Sequence, residues 1–375
     1  MGHLFYKTPI DFSSEGCLFL GTGRNISRLD LNIEQHIQNQ TKDALGLMWF
    51  ATDFTYTEDA KDFESMDDKL KNLFLKNLKF QTLLDSIAGR TVAEVFIPIT
   101  TNPQLESWWF QHGFMENNVH SETYAEIVKA LPVNAKEIFD DIMINDHILS
   151  RAEAIVEKFE HTVIMNAKRL LKTNDYDLFE HKKSIALSLY ALNALEAVLF
   201  KSSFITSFAF KENGIMNSTG DAVKKIQLDE IGHYAMTVNL INRLKSDPEW
   251  AAAFDAIKDE ARELYKTAIE ADYKWIDYLF EENVILLGIG ADILKQYVDY
   301  NAKIVMTSVG QEPLVAETFN PCTWDKKYKK SSNVQTAMKE KNSANYLLGK
   351  INPDSPQDFW ESLSKYLTGE SYEKH

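Results

Sequence analysis

Apolar residues recur at helical intervals along most of this 375-residue chain, and turn-forming residues are scarce. Glycine and proline together occupy only 24 positions, about half of the roughly 12% that average usage gives. A chain with few turn-forming residues must consist mainly of long secondary-structure elements. Apolar residues spaced by three and four positions are typical of an α-helix. The pattern therefore predicts an all-α protein.

The spacing predicts a series of helices joined by short polar connections. They cover residues 30–49, 65–90, 102–131, 146–173, 185–210, 218–244, 248–280 and 291–307. The segment 185–210 is so apolar that we expect it to be buried on most sides. Residues 309–350 are mixed and polar and are compatible with a short β-hairpin. With no internal repeat or linker, we expect an irregular arm (1–29), one helical domain (30–337) and a flexible tail (338–375).

Charge and cysteine content narrow the class of protein further. A net charge of -15 is too acidic for a general nucleic-acid binder. Only two cysteines occur, Cys17 and Cys322, which are too few for a disulfide framework or a thiolate metal site. The sequence contains no run of 18 or more apolar residues, so no membrane span is predicted. We therefore expect a cytoplasmic protein that binds neither nucleic acid nor a membrane.

Two acidic residues stand inside apolar helical segments. Asp85 lies in KFQTLLDSIAGR, and Glu196 lies in LNALEAVLF, within the most apolar predicted helix. An unpaired buried carboxylate is expensive to desolvate, so each residue needs a compensating partner. A salt bridge or a helix cap would serve one residue alone, whereas a shared cation would serve both.

Two glutamate–histidine pairs lie on further predicted helices. Glu230 and His233 are three residues apart, and Glu116 and His120 are four apart, so each pair shares a helix face. Either pair alone is typical of a solvated helix surface. Together with the two buried acids they form the ligand set of a carboxylate-bridged dimetal site in a helical bundle. Oxygen ligands with one imidazole per metal suit iron or manganese better than structural zinc.

The chain resembles the radical-generating small (beta) subunit of class I ribonucleotide reductase from about residue 30 to 350. The matching segments, in order, are NLKFQTLLDSIAGR, VHSETY, LNALEAVLFKSSF, LDEIGH, KWIDYLF and ADILKQYVDY. The resemblance implies a homodimer with a ferritin-like helical bundle, additional helices and two bound metal ions. It implies metal ligands at Asp85, Glu116, His120, Glu196, Glu230 and His233. We expect two irons, while the ligand types also leave manganese or a mixed manganese/iron pair open.

The resemblance also implies a radical site and an apolar pocket around it. Tyr124 lies four residues after His120 and matches the tyrosine that dioxygen and the metals convert to a radical. Phe200, Phe204 and Ile226 match the apolar side chains that exclude water and reductants from that tyrosine. The ordinary alternative for Tyr124 is a core tyrosine whose hydroxyl is hydrogen-bonded.

A route out of the site is implied by three further matches. Trp49 and Asp229 match the start of the radical-transfer route, linked through His120, and Tyr346 matches the relay tyrosine near the subunit boundary. The route leads to a separate large subunit, which the tail would dock and where a cysteine radical reduces ribonucleotides to deoxyribonucleotides. The chain has no Gly-rich phosphate loop of its own.

One departure from the family pattern affects the ligand set. The family spaces its first glutamate and histidine by three, whereas Glu116 and His120 are four apart, and Asn117 stands three before the histidine. A residue inserted locally as a π-bulge would keep Glu116 as the ligand, and Gly113 and Phe114 then align. An earlier insertion would instead put Asn117 in the ligand position.

Two other functions fit part of the pattern. A dimetal oxygenase or oxidase of the same architecture would act on a bound small molecule, and a non-catalytic bundle would only hold iron. Neither function gives a purpose to the Trp49 and Asp229 pair or to Tyr346. The sequence therefore favours the small subunit of a ribonucleoside-diphosphate reductase, active only with its large subunit.

Overall fold

The structure is a computed structural model that describes residues 5–10, 17–31, 33–286 and 288–329. Within these ranges there are α-helices, short 3-10 and π segments and two isolated β-bridges, so the all-α prediction is confirmed. The helices are α1 (Gln35–Gly46), α2 (Thr57–Ser65), α3 (Asp68–Thr91), α4 (Pro103–Phe114), α5 (Ser121–Ala130), α6 (Ala135–Ile142), α7 (Asp146–Leu171), α8 (Leu178–Ala194), α9 (Phe200–Glu212), α10 (Asn217–Lys245), α11 (Ala251–Ala256), α12 (Lys258–Leu279) and α13 (Ala291–Ser308).

Three π-helical segments interrupt or extend these helices. Val92–Phe96 continues α3, Met115–His120 joins α4 to α5, and Leu195–Leu199 joins α8 to α9. A π segment takes in an extra residue without ending the helix, and such segments are frequent at functional sites. The predicted helices 102–131 and 185–210 are therefore continuous rods, each with one π segment inside it.

Several predicted boundaries were wrong in detail. The predicted helix 248–280 is two helices that break at Ile257, and α1 ends at Gly46, so Trp49 lies in the connection that follows it. The helices α2 and α6 were not predicted. They contain only 9 and 8 residues, which is too short for a periodic apolar pattern to emerge.

Local sequence explains where the longer helices begin. The side chain of Asn102 accepts a hydrogen bond from the backbone N–H of Leu105, and Pro103 occupies the first turn of α4. Asp67 caps α3 in the same way, and Asp177 accepts two backbone N–H bonds at the start of α8. These caps satisfy donors that have no partner inside the helix.

The rod formed by α8, its π segment and α9 is the centre of the fold. It packs against α3, α7, α10, α12 and α13. Over Leu178–Glu212 it is long and apolar enough to cross a membrane by length and composition, but 94% of its most apolar window is buried inside the structure. A helix buried on nearly all sides is the expected centre of a large helical bundle, as the sequence predicted.

The segments outside the bundle pack on its surface. Residues 5–10 and 17–31 contain no helix, and Leu18 and Phe19 bury their side chains against the core. Residues 309–329 contain no strand but a 3-10 helix, Thr323–Lys329, in which Tyr328 stacks on Phe208 of α9. The hairpin expected in 309–350 is therefore not present up to residue 329. The rest of that range lies outside the described residues.

Candidate metal centre

The six predicted ligands come together in the middle of the bundle. They reach it from α3, α10 and two of the π segments, and each side chain is at most 2% exposed. The residues are Asp85 on α3, Glu116 and His120 in Met115–His120, Glu196 in Leu195–Leu199, and Glu230 and His233 on α10.

These side chains form two groups that share Glu116. In each group the ligand atoms all lie within 4.8 Å of one another, which is the arrangement that a metal ion requires. One group is Asp85, Glu116, His120 and Glu230, and the other is His112, Glu116, Glu196 and His233. A carboxylate shared between two groups is the feature of a bridged dimetal site.

Each predicted histidine points one ring nitrogen into its group. Nδ1 of His120 lies 3.4 Å from Oε2 of Glu116 and 3.4 Å from Oε1 of Glu230. It also lies 3.6 Å from Oδ1 of Asp85. Nδ1 of His233 lies 3.0 Å from Oε1 of Glu116 and 3.4 Å from Oε2 of Glu230. Both nitrogens therefore face the carboxylate oxygens across a gap of a size suited to a cation.

The carboxylates are in an unfavourable position without a cation. Burial raises the pKa of Asp85 well above its usual value, and the neighbouring Glu116 raises it further. Burial likewise raises the pKa of Glu196, against the opposing effect of His233. Neither oxygen of Asp85, Glu116 or Glu196 accepts a hydrogen bond of normal geometry from the described residues. Four fully buried acids with so few donors fit a pair of metal ions, whose charge would compensate them.

Glu230 and His120 show the opposite pKa behaviour. Burial alone would raise the pKa of Glu230, but His233 and then His120 outweigh it and hold this pKa below its usual value. Burial alone would lower the pKa of His120, but Glu116 and a hydrogen bond to Asp229 raise it. In the metal-free protein these groups compensate one another as ion pairs, which is the state that bound cations would replace.

Glu116 and Asn117, the two candidates for the ligand that precedes His120, have different surroundings. Glu116 is fully buried and belongs to both groups of ligand atoms. Asn117 is exposed, and its side-chain amide donates to the carbonyl oxygen of Gly113 and packs against Gly89 of α3. The segment Met115–His120 is π-helical, which is the geometry that a residue inserted locally would produce.

His112 is a member of the cluster that sequence analysis missed. It lies on α4, fully buried, and its ring stacks on that of His233 with centroids 3.6 Å apart. Burial and the charge of His233 lower the pKa of His112 well below its usual value, so its imidazole is neutral. A signal was present, because positions 112, 116 and 120 are spaced by four and share a helix face.

Tyr124 lies on α5, one helical turn beyond His120, and its side chain is fully buried. Its hydroxyl makes no hydrogen bond of normal geometry to any described residue. Burial, followed by the Asp85 carboxylate, raises its pKa well above the usual value for a phenol. The side chains of Phe200 and Phe204 stack on each other at 5.1 Å and are fully buried, as is Ile226.

A hydrogen-bonded chain leads away from the cluster through His120. Nε2 of His120 lies 3.1 Å from Oδ2 of Asp229, and the same oxygen accepts a bond of 2.7 Å from Nε1 of Trp49. The rings of Trp49 and His120 lie 6.1 Å apart. Three residues far apart in sequence are thus connected in a line that begins at the cluster. Tyr346 lies outside the described residues.

The fold is shared with solved structures. The chain superposes on the ribonucleotide reductase R2 subunit from Clostridium botulinum with a TM-score of 0.68 and 22% identity, over 78% of this chain and 88% of the other. It also superposes on the dimanganese(II)-NrdF of Streptococcus sanguinis with a TM-score of 0.64 and 20% identity, over 79% of this chain and 95% of the other. Fold and site together define a ferritin-like helical protein with a dimetal-carboxylate centre.

Sequence comparison gives the family. Residues 32–321 match the family described as the small chain of ribonucleotide reductase. The chain is 32% identical to the ribonucleoside-diphosphate reductase 1 subunit beta of Escherichia coli O157:H7, over 91% of this chain and 94% of that protein. The chain belongs to the ribonucleotide reductase small-chain family, which confirms the resemblance seen in its sequence. It is accordingly the small subunit of an oxidoreductase that works with a large subunit.

Proposed function

We propose that this subunit makes a radical on Tyr124 and passes it to a large subunit, which reduces ribonucleoside diphosphates to deoxyribonucleotides. The observation that carries the proposal is the chain from His120 through Asp229 to Trp49. A storage protein or an oxygenase that acts on a bound small molecule would not need such a connection. A protein that delivers an oxidising equivalent elsewhere would need it.

The centre would be held by Asp85, Glu116, His120, Glu196, Glu230 and His233. Once bound, the metals supply the oxidising power that they gain from dioxygen. We propose iron in both positions, because buried carboxylates with imidazoles are suitable ligands for it. The same ligand types suit manganese, and one protein of this fold is described as a dimanganese(II) form. Metal analysis of the purified native protein decides between them.

Tyr124 is placed to lose one electron and one proton. A phenol is protonated at neutral pH, and burial raises the pKa of Tyr124 further, so its oxidation must be accompanied by loss of that proton. The Asp85 carboxylate is the charged group with the largest effect on this pKa, and we assign it as the proton acceptor. The buried rings of Phe200 and Phe204 would keep water and reductants away from the neutral radical.

The oxidising equivalent would leave through the hydrogen-bonded chain. Trp49 donates its indole N–H to Asp229, and Asp229 holds the imidazole of His120 from the side opposite the carboxylates. This arrangement fixes the ring of His120 and gives the indole proton an acceptor when Trp49 is oxidised. Tyr346 would then relay the equivalent to the large subunit.

The segment 338–375 would dock on the large subunit. Within SPQDFWESLSKYL the apolar side chains recur at helical spacing, and Glu361 and Lys365 fall on other faces. The apolar residues are Phe359, Trp360, Leu363, Tyr366 and Leu367. An amphipathic helix that lies in a groove of the partner is a common mode of recognition for such a pattern.

We also propose that the subunit is a cytoplasmic homodimer. Phe110 and Phe114 are exposed on one face of α4 by 59% and 39%, and they are spaced by four residues. A pair of exposed aromatic rings on one helix face is typical of a surface that another chain covers. The low cysteine content fits a reducing compartment.

The proposal is tested by Tyr124→Phe. Loss of one hydroxyl leaves packing nearly unchanged but removes the oxidisable phenol, so we expect normal helicity and metal content, no tyrosyl radical signal and no turnover with the large subunit. Tyr190→Phe is the matched control, since Tyr190 is also a buried tyrosine but lies on α8 outside the cluster. Substantial turnover by the Tyr124→Phe protein would show that the oxidising equivalent resides elsewhere.

A second experiment separates radical formation from delivery. Truncation before Asn352 removes the apolar stripe, so we expect radical formation on Tyr124 to remain while turnover with the large subunit is lost. Normal turnover by the truncated protein at low concentration would show that this segment is not the docking element.

A further inference from the structure

His112 occupies a position from which an imidazole can reach a metal ion. It lies four residues before Glu116 and is fully buried. Its Nε2 atom lies 2.8 Å from Oε1 of Glu196 and 3.7 Å from Oε1 of Glu116. Neither of its ring nitrogens forms a hydrogen bond of normal geometry with any described residue. In the neutral tautomer protonated at Nδ1, this imidazole directs the lone pair of Nε2 at the cluster.

The spacing of the donor atoms fits one ion. Ligands that lie about 2.1 Å from a common ion are roughly 3 to 3.5 Å from one another. Besides the two His112 distances, Nδ1 of His233 lies 3.0 Å from Oε1 of Glu116 and 4.0 Å from Oε1 of Glu196. These four donors surround a single point, and the stacked rings of His112 and His233 approach it side by side.

We propose that His112 is a metal ligand, so that the two positions of the centre differ in their donors. The position formed with Glu116, Glu196 and His233 has two imidazoles. The position formed with Asp85, Glu116, His120 and Glu230 has one imidazole and three carboxylates. The six ligands proposed above give each metal one imidazole, whereas His112 gives the centre a third.

The extra imidazole has a consequence for metal choice. Nitrogen donors favour iron and the later divalent metals, and oxygen donors favour manganese and magnesium. The position with His112 is therefore the one that takes iron or cobalt first, and the other position is more tolerant of manganese. A centre with unequal positions fills in two distinguishable steps. This inference rests on the proposed function only in requiring that two metals bind.

Proton NMR of the intact protein loaded with Co²⁺ in place of the native metal tests the assignment. Each imidazole bound to high-spin cobalt gives one strongly shifted N–H resonance that disappears in deuterated water. We expect three such resonances in the wild type and two in His112→Gln. Glutamine can still donate a hydrogen bond to Glu196, so a histidine that only orients this carboxylate would not change the count.

His181→Gln is the matched control. His181 is a buried histidine on α8, and it is hydrogen-bonded to Asn166 and Tyr176 and not to the cluster. We expect all three resonances to persist in this variant, and circular dichroism verifies that both variants are folded. Because the wild-type count is informative on its own, the test does not depend on a stable His112→Gln protein.

The outcomes separate this inference from the proposed function. Two shifted resonances in the wild type, or three in a folded His112→Gln protein, would show that His112 does not ligate metal and would leave the dimetal function intact. A wild-type protein that takes up no metal at all would overturn both proposals.

Discussion

Two clusters of buried charge lie side by side along the central rod of the bundle, and they are compensated in different ways. In one cluster, Arg151 of α7 contacts Asp272 of α12, and both side chains are fully buried. The guanidinium also donates to the carbonyl oxygen of Leu199 and to Oγ of Ser202, and Ser202 donates to Asp272. Positive and negative charges thus cancel within the chain.

The other cluster has four buried carboxylates and three histidines, and its carboxylates form ion pairs with these histidines but with no described lysine or arginine. Its carboxylate oxygens accept few hydrogen bonds. In contrast, Asp272 accepts a hydrogen bond from Ser202 and forms an ion pair with Arg151. The difference separates buried charges that the protein compensates itself from buried charges that a bound cation would compensate. A structural ion pair carries its own countercharge, and a metal site leaves that charge to the ligand.

We expect the largest effect on metal content from removal of the carboxylate that both groups of donors share. In Glu116→Ala we expect the loss of at least one of the two metals, because Glu116 belongs to both groups of donors. Asn117→Ala is the adjacent control and should keep full metal content, since the Asn117 side chain is exposed. Metal analysis after loading and desalting measures both. The reverse ranking would place Asn117 in the centre.

Breaking the internal ion pair should affect stability and not metal content. Arg151→Met leaves Asp272 buried without its countercharge, which costs about 3–5 kcal/mol of unfolding free energy. The double variant Arg151→Met with Asp272→Leu should recover most of that loss, because both charges are removed together. Urea denaturation of the metal-free proteins gives the values. A double variant that binds less metal than the wild type would show that the two clusters are coupled.

Metal loading should stabilise the protein through the other cluster. A ligand that binds only the folded state at a hundred times its dissociation constant adds about 2.7 kcal/mol. We therefore expect Fe²⁺ or Mn²⁺, added without oxygen, to raise the thermal midpoint of the wild type by several degrees and that of Glu116→Ala by much less. Equal shifts in both proteins would mean that the metal stabilises the fold from some other site.

His181 is a third kind of buried group, one that remains neutral, and we expect it to have the smallest effect on stability. Burial, with Arg169 and His161 adding to it, lowers the pKa of His181 to about 4. The unfolded chain therefore binds this proton at higher pH than the folded protein does. Stability from His181 is fully present above about pH 6.5 and is lost as the pH falls towards 4.

His181→Gln provides the comparison for that pH dependence. Between pH 7 and pH 5 we expect the wild type to lose about 1–2 kcal/mol relative to this variant, a value reduced for partial solvent screening. Urea denaturation of both proteins at the two pH values measures this difference in unfolding free energy. The contributions of all other titrating groups are the same in both proteins and cancel. A constant difference would show that folding does not lower the pKa of His181.

The sequence was sufficient for the fold class and for most of the residues that the structure brings together in the cluster. Helical spacing is a local property, so the long helices could be predicted from it, and the pairs Glu230/His233 and Glu116/His120 are each set by one helix. Charged residues inside apolar segments, such as Asp85 and Glu196, indicated that something must compensate them. Short helices and helix breaks were missed because a few residues contain little periodicity.

Only the tertiary structure decided which side chains converge. The spacing of His112 from Glu116 indicated only a shared helix face, and the stacking of His233 from another helix shows that this face meets the cluster. The bond from Trp49 to Asp229 joins residues 180 positions apart, and no local pattern specifies such a contact. The pairing of Arg151 with Asp272 is likewise a product of packing. Local sequence sets the face of a helix on which a residue lies, and the packing of helices against one another determines what that face meets.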